Sequence, residues 1–373
     1  MADARRLRPT EVPSRPFRVV SRRRPVEVPD RLSAGSDVVE TVARPRDASR
    51  APVLRRRAIR LKQRFLVGVL SVVSWLACRL PDRPLVALAN VAGDAWYRAD
   101  RNRAAQGRRN LRRVVEWLAD KESGSEVARR AAGDPAVLER LVRAAFRHQA
   151  RYYLEVARTP AVTGEFVRRR LVVETPEVVA EAFNGEGPVI FVGLHFGAIE
   201  LPALFLADRV PVPPVAPMET IDNPPLQDYF VRTRGAVGVR IVGLREARRE
   251  LLAALKRGES VGLVADRDLT GGGIDTDFFG APAPLPAGPA LLAMESGARV
   301  FVVSVRRGRH GKYFGRLERV PVPRGPGNAR RRDRVTGFLA AEADAFERGI
   351  SVAPEQWWGA FFPVWPDLES RAA

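Results

Sequence analysis

The pattern of hydrophobic and polar positions changes at about residue 160. C-terminal to that point, apolar runs of strand length occur at 188–194, 211–216, 239–243, 260–265, 299–305 and 313–320. Stretches with helical spacing of apolar residues lie between most of them, at 197–208, 222–234, 245–257, 287–297 and 330–348. Strands that alternate with helices predict an α/β sheet whose two faces are covered, here over residues 161–373.

The preceding section, residues 55–160, has helical periodicity instead. Within 137–157, for example, Leu138, Leu141, Val142 and Ala145 follow the spacing of an amphipathic helix. The sequence therefore predicts N-terminal helices that precede the sheet. Residues 1–54, rich in Arg, Pro and Ser without either periodicity, are predicted to form a disordered basic tail.

A basic cluster between residues 55 and 64 is followed by fourteen apolar or small residues, 65–78. A comfortable membrane span needs about 20 such residues. The pattern therefore favours a helix that lies in the interface of an anionic membrane. The alternative is a core helix with a solvated basic flank. No secretory signal opens the chain, so we expect the cytoplasm or the cytoplasmic face of the membrane.

The net charge of +19 favours a polyanionic partner, such as an anionic membrane surface or a phosphorylated ligand. Nucleic acid is not expected as a partner, because aromatic residues are not interleaved with the basic runs. The single Cys78 excludes a disulfide framework and a cysteine-based zinc site.

The stretch Gly193-Leu-His-Phe-Gly-Ala-Ile-Glu200 places a histidine directly after a predicted buried strand. Glu200 can reach His195 if the histidine lies in the turn before a helix and the glutamate in the first helical turn. Gly197 would permit that turn. His195 and Glu200 are therefore a candidate catalytic dyad, in which the carboxylate orients the imidazole. The alternative is a structural histidine at a strand end.

Two other polar groupings are candidates for substrate binding. Asp266, Arg267 and Asp268 follow the strand at 260–265, and the loop 270–273 adds glycine amides that could approach an anion. Arg232 and Arg234 precede a glycine and could hold a phosphate. The four aspartates between 266 and 277 match no calcium loop, so no metal site is predicted.

Four stretches together resemble a known family: GLHFGAIE, an arginine about 40 residues later, the block DRDLTGGGIDTDFFG with PAGPALLA, and PEQW. They are similar to the bacterial lysophospholipid acyltransferase superfamily, in the branch of lipid A biosynthesis and phosphatidylinositol mannoside acyltransferases. The resemblance covers residues 60–373. It implies a glycerolipid acyltransferase-like fold, with a mixed central sheet flanked by helices and preceded by N-terminal helices.

The same resemblance implies an O-acyltransferase that moves a fatty acyl chain from acyl-CoA to a lipid hydroxyl without another cofactor. His195 would be the general base, Glu200 its orienting carboxylate, and Arg234 or Arg232 the ligand of an acceptor phosphate. Asp275 or Asp277 would be a further acidic residue near the histidine. The candidate substrate-binding residues are Arg234, Arg232, Asp266, Arg267, Asp268, Asp275 and Glu355.

The chain departs from the family pattern between the two dyad residues, where Ala198-Ile199 replaces Asn-Trp. The change lies on the acceptor side of the expected pocket. A phosphatidylinositol mannoside is the expected acceptor, and a lysophospholipid or another lipid is the alternative within the same chemistry. A membrane-binding homologue with altered catalysis is the rival from another class.

Overall fold

The computed structural model describes residues 51–121, 125–236, 238–269, 271–323 and 330–369, with side chains from residue 61 onward. The predicted disordered tail lies outside the described residues as far as residue 50. One compact unit spans Val53–Ala373.

Twelve α-helices occur in the described ranges: α1 Ala51–Arg79, α2 Asp82–Ala99, α3 Arg101–Ala119, α4 Glu126–Gly133, α5 Pro135–Arg158, α6 Gly164–Arg170, α7 Pro176–Asn184, α8 Glu200–Ala207, α9 Pro224–Ala236, α10 Ala247–Lys256, α11 Gly288–Ser296 and α12 Arg331–Ser351. Short 3₁₀ turns include Pro354–Gln356 and Trp358–Phe361.

The described strands are β1 Leu171–Val173, β2 Val189–Gly193, β3 Val215–Met218, β4 Arg240–Gly243, β5 Val261–Val264, β6 Ile274–Phe278, β7 Ala281–Leu285, β8 Arg299–Arg307 and β9 Tyr313–Val320. Seven of them form one sheet in the order β1-β9-β8-β2-β5-β3-β4, and β6 and β7 pair as a separate hairpin.

The main sheet is mixed, because β8 and β9 are antiparallel whereas β2 is parallel to both β5 and β8. The predicted α/β fold with N-terminal helices is therefore confirmed. The sequence did not predict the short edge strand β1 or the β6–β7 hairpin. Prolines 282 and 284 made the hairpin look irregular, and it forms as a two-stranded pair apart from the main sheet.

Alternation along the strands gives the sheet two different faces. In β2, Ile190 and Val192 join the main core under α10, α11 and α12, while Phe191 points to the opposite face, towards α7. The N-terminal helices share the main core, since Phe146 of α5 packs against Phe361 with ring centroids 4.4 Å apart. The C-terminal aromatic segment thus joins the helices to the sheet.

Helix α1 is the most exposed apolar element among the described residues. Its segment Leu61–Arg79 is long and apolar enough to cross a membrane, judged by length and composition alone, and little of it is buried. Ser74 anchors the helix by donating to the carbonyl of Ala157, at 2.6 Å. The exposed apolar side chains are Leu61, Phe65, Leu66, Val69, Val72, Val73, Trp75 and Leu76.

Candidate active site

Two neighbouring parallel strands bring a histidine and an aspartate together. His195 and Asp266 each lie two residues beyond the ends of β2 and β5, whose last residues, Gly193 and Val264, are paired. His195 Nδ1 and Asp266 Oδ1 are 2.6 Å apart, and the His195 backbone N–H donates to Asp266 Oδ2 at 3.0 Å. Ligand sites of open α/β sheets occur beyond these carboxyl ends.

Asp266 is fully buried, and three N–H groups donate to its carboxylate. Besides the two from His195, Trp357 Nε1 donates to Oδ2 at 2.8 Å. Burial by itself would raise the pKa of Asp266, but the charge of His195 and these hydrogen bonds outweigh it, so the pKa lies below its ordinary value. An ionised carboxylate can only accept, so Nδ1 carries a proton, and in the neutral imidazole Nε2 is then the nitrogen with the free lone pair.

The turn after His195 depends on glycine. Gly197 has a φ of +52°, and a Cβ there would lie 1.9 Å from the carbonyl oxygen of Val305. The turn is tied to the C-terminal segment as well, because the Gly359 N–H donates to the His195 carbonyl at 3.1 Å. The predicted strand-to-helix turn is therefore present, with Glu200 as the first residue of α8.

The predicted hydrogen bond between Glu200 and His195 is not formed. Glu200 Oε1 accepts from Arg234 Nη2 at 2.6 Å, and no hydrogen bond joins its carboxylate to the imidazole. Asp266, predicted only as a substrate-binding residue, holds the imidazole instead. The physical reason is the pairing of β2 with β5, which puts a carboxylate 71 residues away closer to Nδ1 than the one at His+5.

The backbone amides at the turn are not available as oxyanion donors. The His195 N–H donates to Asp266, the Phe196 N–H to the carbonyl of Leu194, and the Gly197 N–H to the carbonyl of Gln356. These bonds hold the turn against the C-terminal segment, so the amides are already used.

The other predicted residues are dispersed. Arg232, Asp275 and Asp277 are exposed, and none of them is among the residues that line the cavity described below. Asp268 accepts from the Gly273 N–H at 2.7 Å.

Glu355 lies in the turn Pro354–Gln356, where burial raises the pKa of its carboxyl. It is not among the residues that line the cavity described next. No group of three or more His, Cys, Asp or Glu side chains suited to a metal ion occurs within the described residues.

A cavity of about 620 Å³ opens beside His195 on the face of the sheet that α7 and α8 cover. Its wall is mostly apolar and extends from β1 and β9 at one edge of the sheet to β4 at the other. The volume lies in the usual range for small-molecule sites. Apolar lining residues include Phe183, Phe191, Phe205, Met218, Phe230 and Leu263.

Charged side chains line the cavity together with His195: Glu200, Glu219, Arg234, Arg267 and Arg316. Ile199, one of the two residues that depart from the family pattern, lines it too, whereas Ala198 is buried against α8. The site thus combines a proton acceptor with an elongated apolar space, an arrangement suited to chemistry at one end of a hydrocarbon chain.

Sequence reasoning missed three aromatic and polar supports of this site. Trp358 presents its ring edge-on to His195, with centroids 4.6 Å apart, and stacks on Tyr152 at 4.7 Å. The Gln356 side chain makes two hydrogen bonds to the backbone of Arg307. It accepts from the Arg307 N–H at 2.8 Å and donates to the Arg307 carbonyl at 2.9 Å. The high density of aromatic residues at 353–367 could have indicated these supports of the site, but the same density is equally typical of a hydrophobic core.

Comparison with known proteins bears out the resemblance. Residues 55–359 match the family described as bacterial lipid A biosynthesis acyltransferase. A phosphatidylinositol mannoside acyltransferase of Mycolicibacterium smegmatis is 30% identical over 271 residues, which cover 70% of this chain and 80% of that protein. One from Mycobacterium tuberculosis is 29% identical over 308 residues, covering 80% and 89%.

Proposed function

From the premise that this chain belongs to the bacterial lipid A biosynthesis acyltransferase family, and is a lipid acyltransferase, we propose that it transfers a fatty acyl chain from acyl-CoA to a hydroxyl of a phosphoglycolipid, a phosphatidylinositol mannoside. The observation that carries the proposal is the His195–Asp266 pair at the edge of an apolar cavity. The pair supplies a base, and the cavity supplies room for an acyl chain.

His195 acts as the general base through Nε2. As the acceptor hydroxyl oxygen attacks the thioester carbonyl carbon, its proton passes to Nε2, and the carbonyl electron pair moves onto oxygen. When the carbonyl re-forms, the carbon–sulfur bond breaks and its electron pair leaves on the CoA sulfur. The proton on Nε2 then passes to that thiolate or to solvent, which regenerates the base. Asp266 holds the Nδ1 proton and stabilises the imidazolium that forms, as a carboxylate does in other His–carboxylate pairs.

The choice of acceptor rests on the relatives and on the charge of the site. Both relatives that we compared carry the name phosphatidylinositol mannoside acyltransferase. Arg234 and Arg267 supply positive charge beside His195 for an acceptor phosphate or a developing negative charge. Ile199 marks the part of the wall where this chain differs from the family pattern.

The protein works on the cytoplasmic face of the membrane, with α1 lying in the interface. Two features support this: the exposed apolar side chains of α1, such as Phe65 and Val72, and the basic residues Lys62 and Arg64 at its N-terminal side. Apolar contact and attraction to anionic lipids add in such helices.

The test of the chemistry is an acyl-transfer assay with radiolabelled palmitoyl-CoA and vesicles that contain phosphatidylinositol mannoside, a lysophospholipid or neither. We expect transfer to the mannoside, and its loss in His195→Ala with vesicle binding retained. Transfer to the lysophospholipid alone would replace the proposed acceptor. Wild-type turnover in His195→Ala would contradict the mechanism, and acyl carrier protein as a better donor would replace CoA.

The test of the location is flotation with anionic vesicles. Replacing Phe65 and Val72 with Glu should release most of the protein from the vesicles, because two apolar contacts become charges of the same sign as the lipid. The matched control is Val127→Glu, at an exposed valine of α4 far along the chain. Equal binding by all three proteins would show that α1 is not the anchor.

A further inference from the structure

The amides at the His195 turn leave the proposed reaction without an evident partner for the negative charge on the carbonyl oxygen. Acyl transfer builds that charge at the tetrahedral stage, and a missing donor costs about 10²–10³ in kcat. The N–H groups of residues 195, 196 and 197 all have internal acceptors. Another group at the cavity must therefore take this role.

Arg267 is the cation whose place in the sequence and in the cavity best suits it to stabilise this negative charge. It follows Asp266 directly, so the strand end that supplies the carboxylate to His195 also supplies this guanidinium to the cavity. Its guanidinium carbon lies 3.8 Å from the ring centroid of Phe362, whose ring centroid is 6.3 Å from that of His195. One aromatic ring thus packs against both groups and restricts the arginine.

The arginine is also poorly neutralised. Its ion pair with Glu219 is long, at 3.6 Å, and that carboxylate is 56% exposed whereas the arginine side chain is 17% exposed. An exposed partner at that distance contributes little. Arg267 Nε is buried and has no hydrogen-bond partner among the described residues. A cation held in this way can take on a new negative charge at little cost.

Two other donors beside the histidine fit less well. Arg234 is committed to Glu200 by a hydrogen bond of 2.6 Å. Trp358 also lines the cavity, and its Nε1 is buried without a hydrogen-bond partner in the described part of the chain, but the indole is neutral and offers no charge to an oxyanion. Arg316 also lines the cavity, but it lies on β9, two strands away from β2 in the sheet. Arg267 is therefore the cation with available charge at the strand ends that carry His195 and Asp266.

We propose that Arg267 is a catalytic residue, whose guanidinium stabilises the oxyanion formed when the acceptor hydroxyl attacks the thioester. The new carbon–oxygen bond pushes the carbonyl electron pair onto the oxygen that faces Arg267, while the hydroxyl proton goes to His195 Nε2. Collapse returns that pair to the carbonyl and expels the CoA thiolate, so the guanidinium charge is unchanged over the cycle. The proposal rests on the proposed function.

The experiment compares wild type with Arg267→Gln and Arg267→Lys, using palmitoyl-CoA and whichever acceptor the wild type acylates. Arg267→Gln should lower kcat about 10²–10³-fold, because the interaction arises only in the transition state. The KM for palmitoyl-CoA and the KM for the acceptor should each change less than about threefold. Arg267→Lys should retain more activity, since it keeps the charge but not the planar fork. The charge-matched control, Arg249→Gln on the exposed side of α10, should keep wild-type kcat.

Two further measurements separate the possible roles. Added guanidinium should restore part of the kcat of Arg267→Ala, and Glu219→Gln should keep kcat at or above wild type. A rise in KM for acyl-CoA or for the acceptor, with kcat intact, would overturn the proposal, because Arg267 would then bind a ground-state phosphate. Circular dichroism of each variant identifies loss of fold, in which case Arg267→Lys, which keeps the charge, takes the place of the unfolded variant in the comparison. An inactive wild type would instead refute the proposed function.

Discussion

Two carboxylates lie near His195, and they have different hydrogen-bond partners. Asp266 is fully buried at the end of β5, accepts three N–H groups and holds Nδ1 of His195. Glu200 is half-buried at the start of α8 and pairs with Arg234. Glu200, the carboxylate nearer to His195 in sequence, therefore pairs with another residue of the cavity wall, and the distant Asp266 holds the imidazole.

The difference teaches how a parallel sheet assembles such a site. Residues just beyond adjacent parallel strands meet at one edge, whatever their separation along the chain. A helical residue that follows the same turn is carried away from the strand end by the helix. Spacing such as His+5 therefore indicates a site but does not identify the hydrogen-bond partner.

The largest expected effect comes from Asp266→Asn. The N–H groups of His195 and Trp357 keep the amide oxygen on their side, so the amide NH₂ faces Nδ1 and drives the imidazole proton to Nε2. We expect kcat to fall about 10³–10⁴-fold with the fold intact. Steady-state kinetics measure it, with Asp344→Asn on the exposed side of α12 as the control. A near-normal kcat would contradict the role of Asp266 as the residue that orients His195 and would favour Glu200 in that role.

Glu200→Gln should have a smaller effect. It leaves the imidazole contacts in place and removes one partner of the Glu200–Arg234 pair, so we expect kcat/KM to fall about tenfold and the free energy of unfolding to fall by about 1–2 kcal/mol. The double variant with Arg234→Gln should recover part of that stability, measured by urea denaturation. A loss as large as that of Asp266→Asn would make both carboxylates equal in the mechanism.

Trp357→Phe tests one hydrogen bond to Asp266 while keeping an aromatic ring in the core. Oδ2 keeps the His195 backbone N–H and loses its other donor, which should cost about 1–3 kcal/mol of stability and lower kcat about tenfold, because the carboxylate loses part of its orientation. Trp365→Phe is the matched control: its indole donates to the Phe278 carbonyl in the same core. It should lose similar stability while kcat stays within about twofold of wild type.

The smallest effect is a pH dependence of stability. The pKa of Asp266 is lowered in the folded protein, so its ionised form stabilises the fold above the ordinary value of 3.8. That contribution is lost as the pH falls through the lower folded-state pKa. Wild type and Glu200→Gln should therefore lose unfolding free energy more steeply than Asp266→Asn between about pH 4 and 2, in urea titrations. Parallel curves would contradict the assigned ionisation.

Much of the frame could be predicted from sequence. The runs at 188–194 and 260–265 contain β2 and β5, and the turn after His195 forms as its glycines indicated. The β6–β7 hairpin could not be predicted, because its prolines conceal strand pairing. The roles of the turn amides could not be predicted either, because their acceptors come from residues such as Gln356, far along the chain.

The sequence by itself determined that a histidine stands beyond a buried strand of an α/β sheet, because local periodicity and glycine placement are properties of neighbouring residues. Tertiary structure alone decided that Asp266 holds the imidazole, that Glu200 pairs with Arg234, and that the C-terminal tryptophans close the site. Those contacts follow from the order of strands in the sheet. Hydrogen-bond geometry across strands is fixed by packing, which spacing along one chain does not encode.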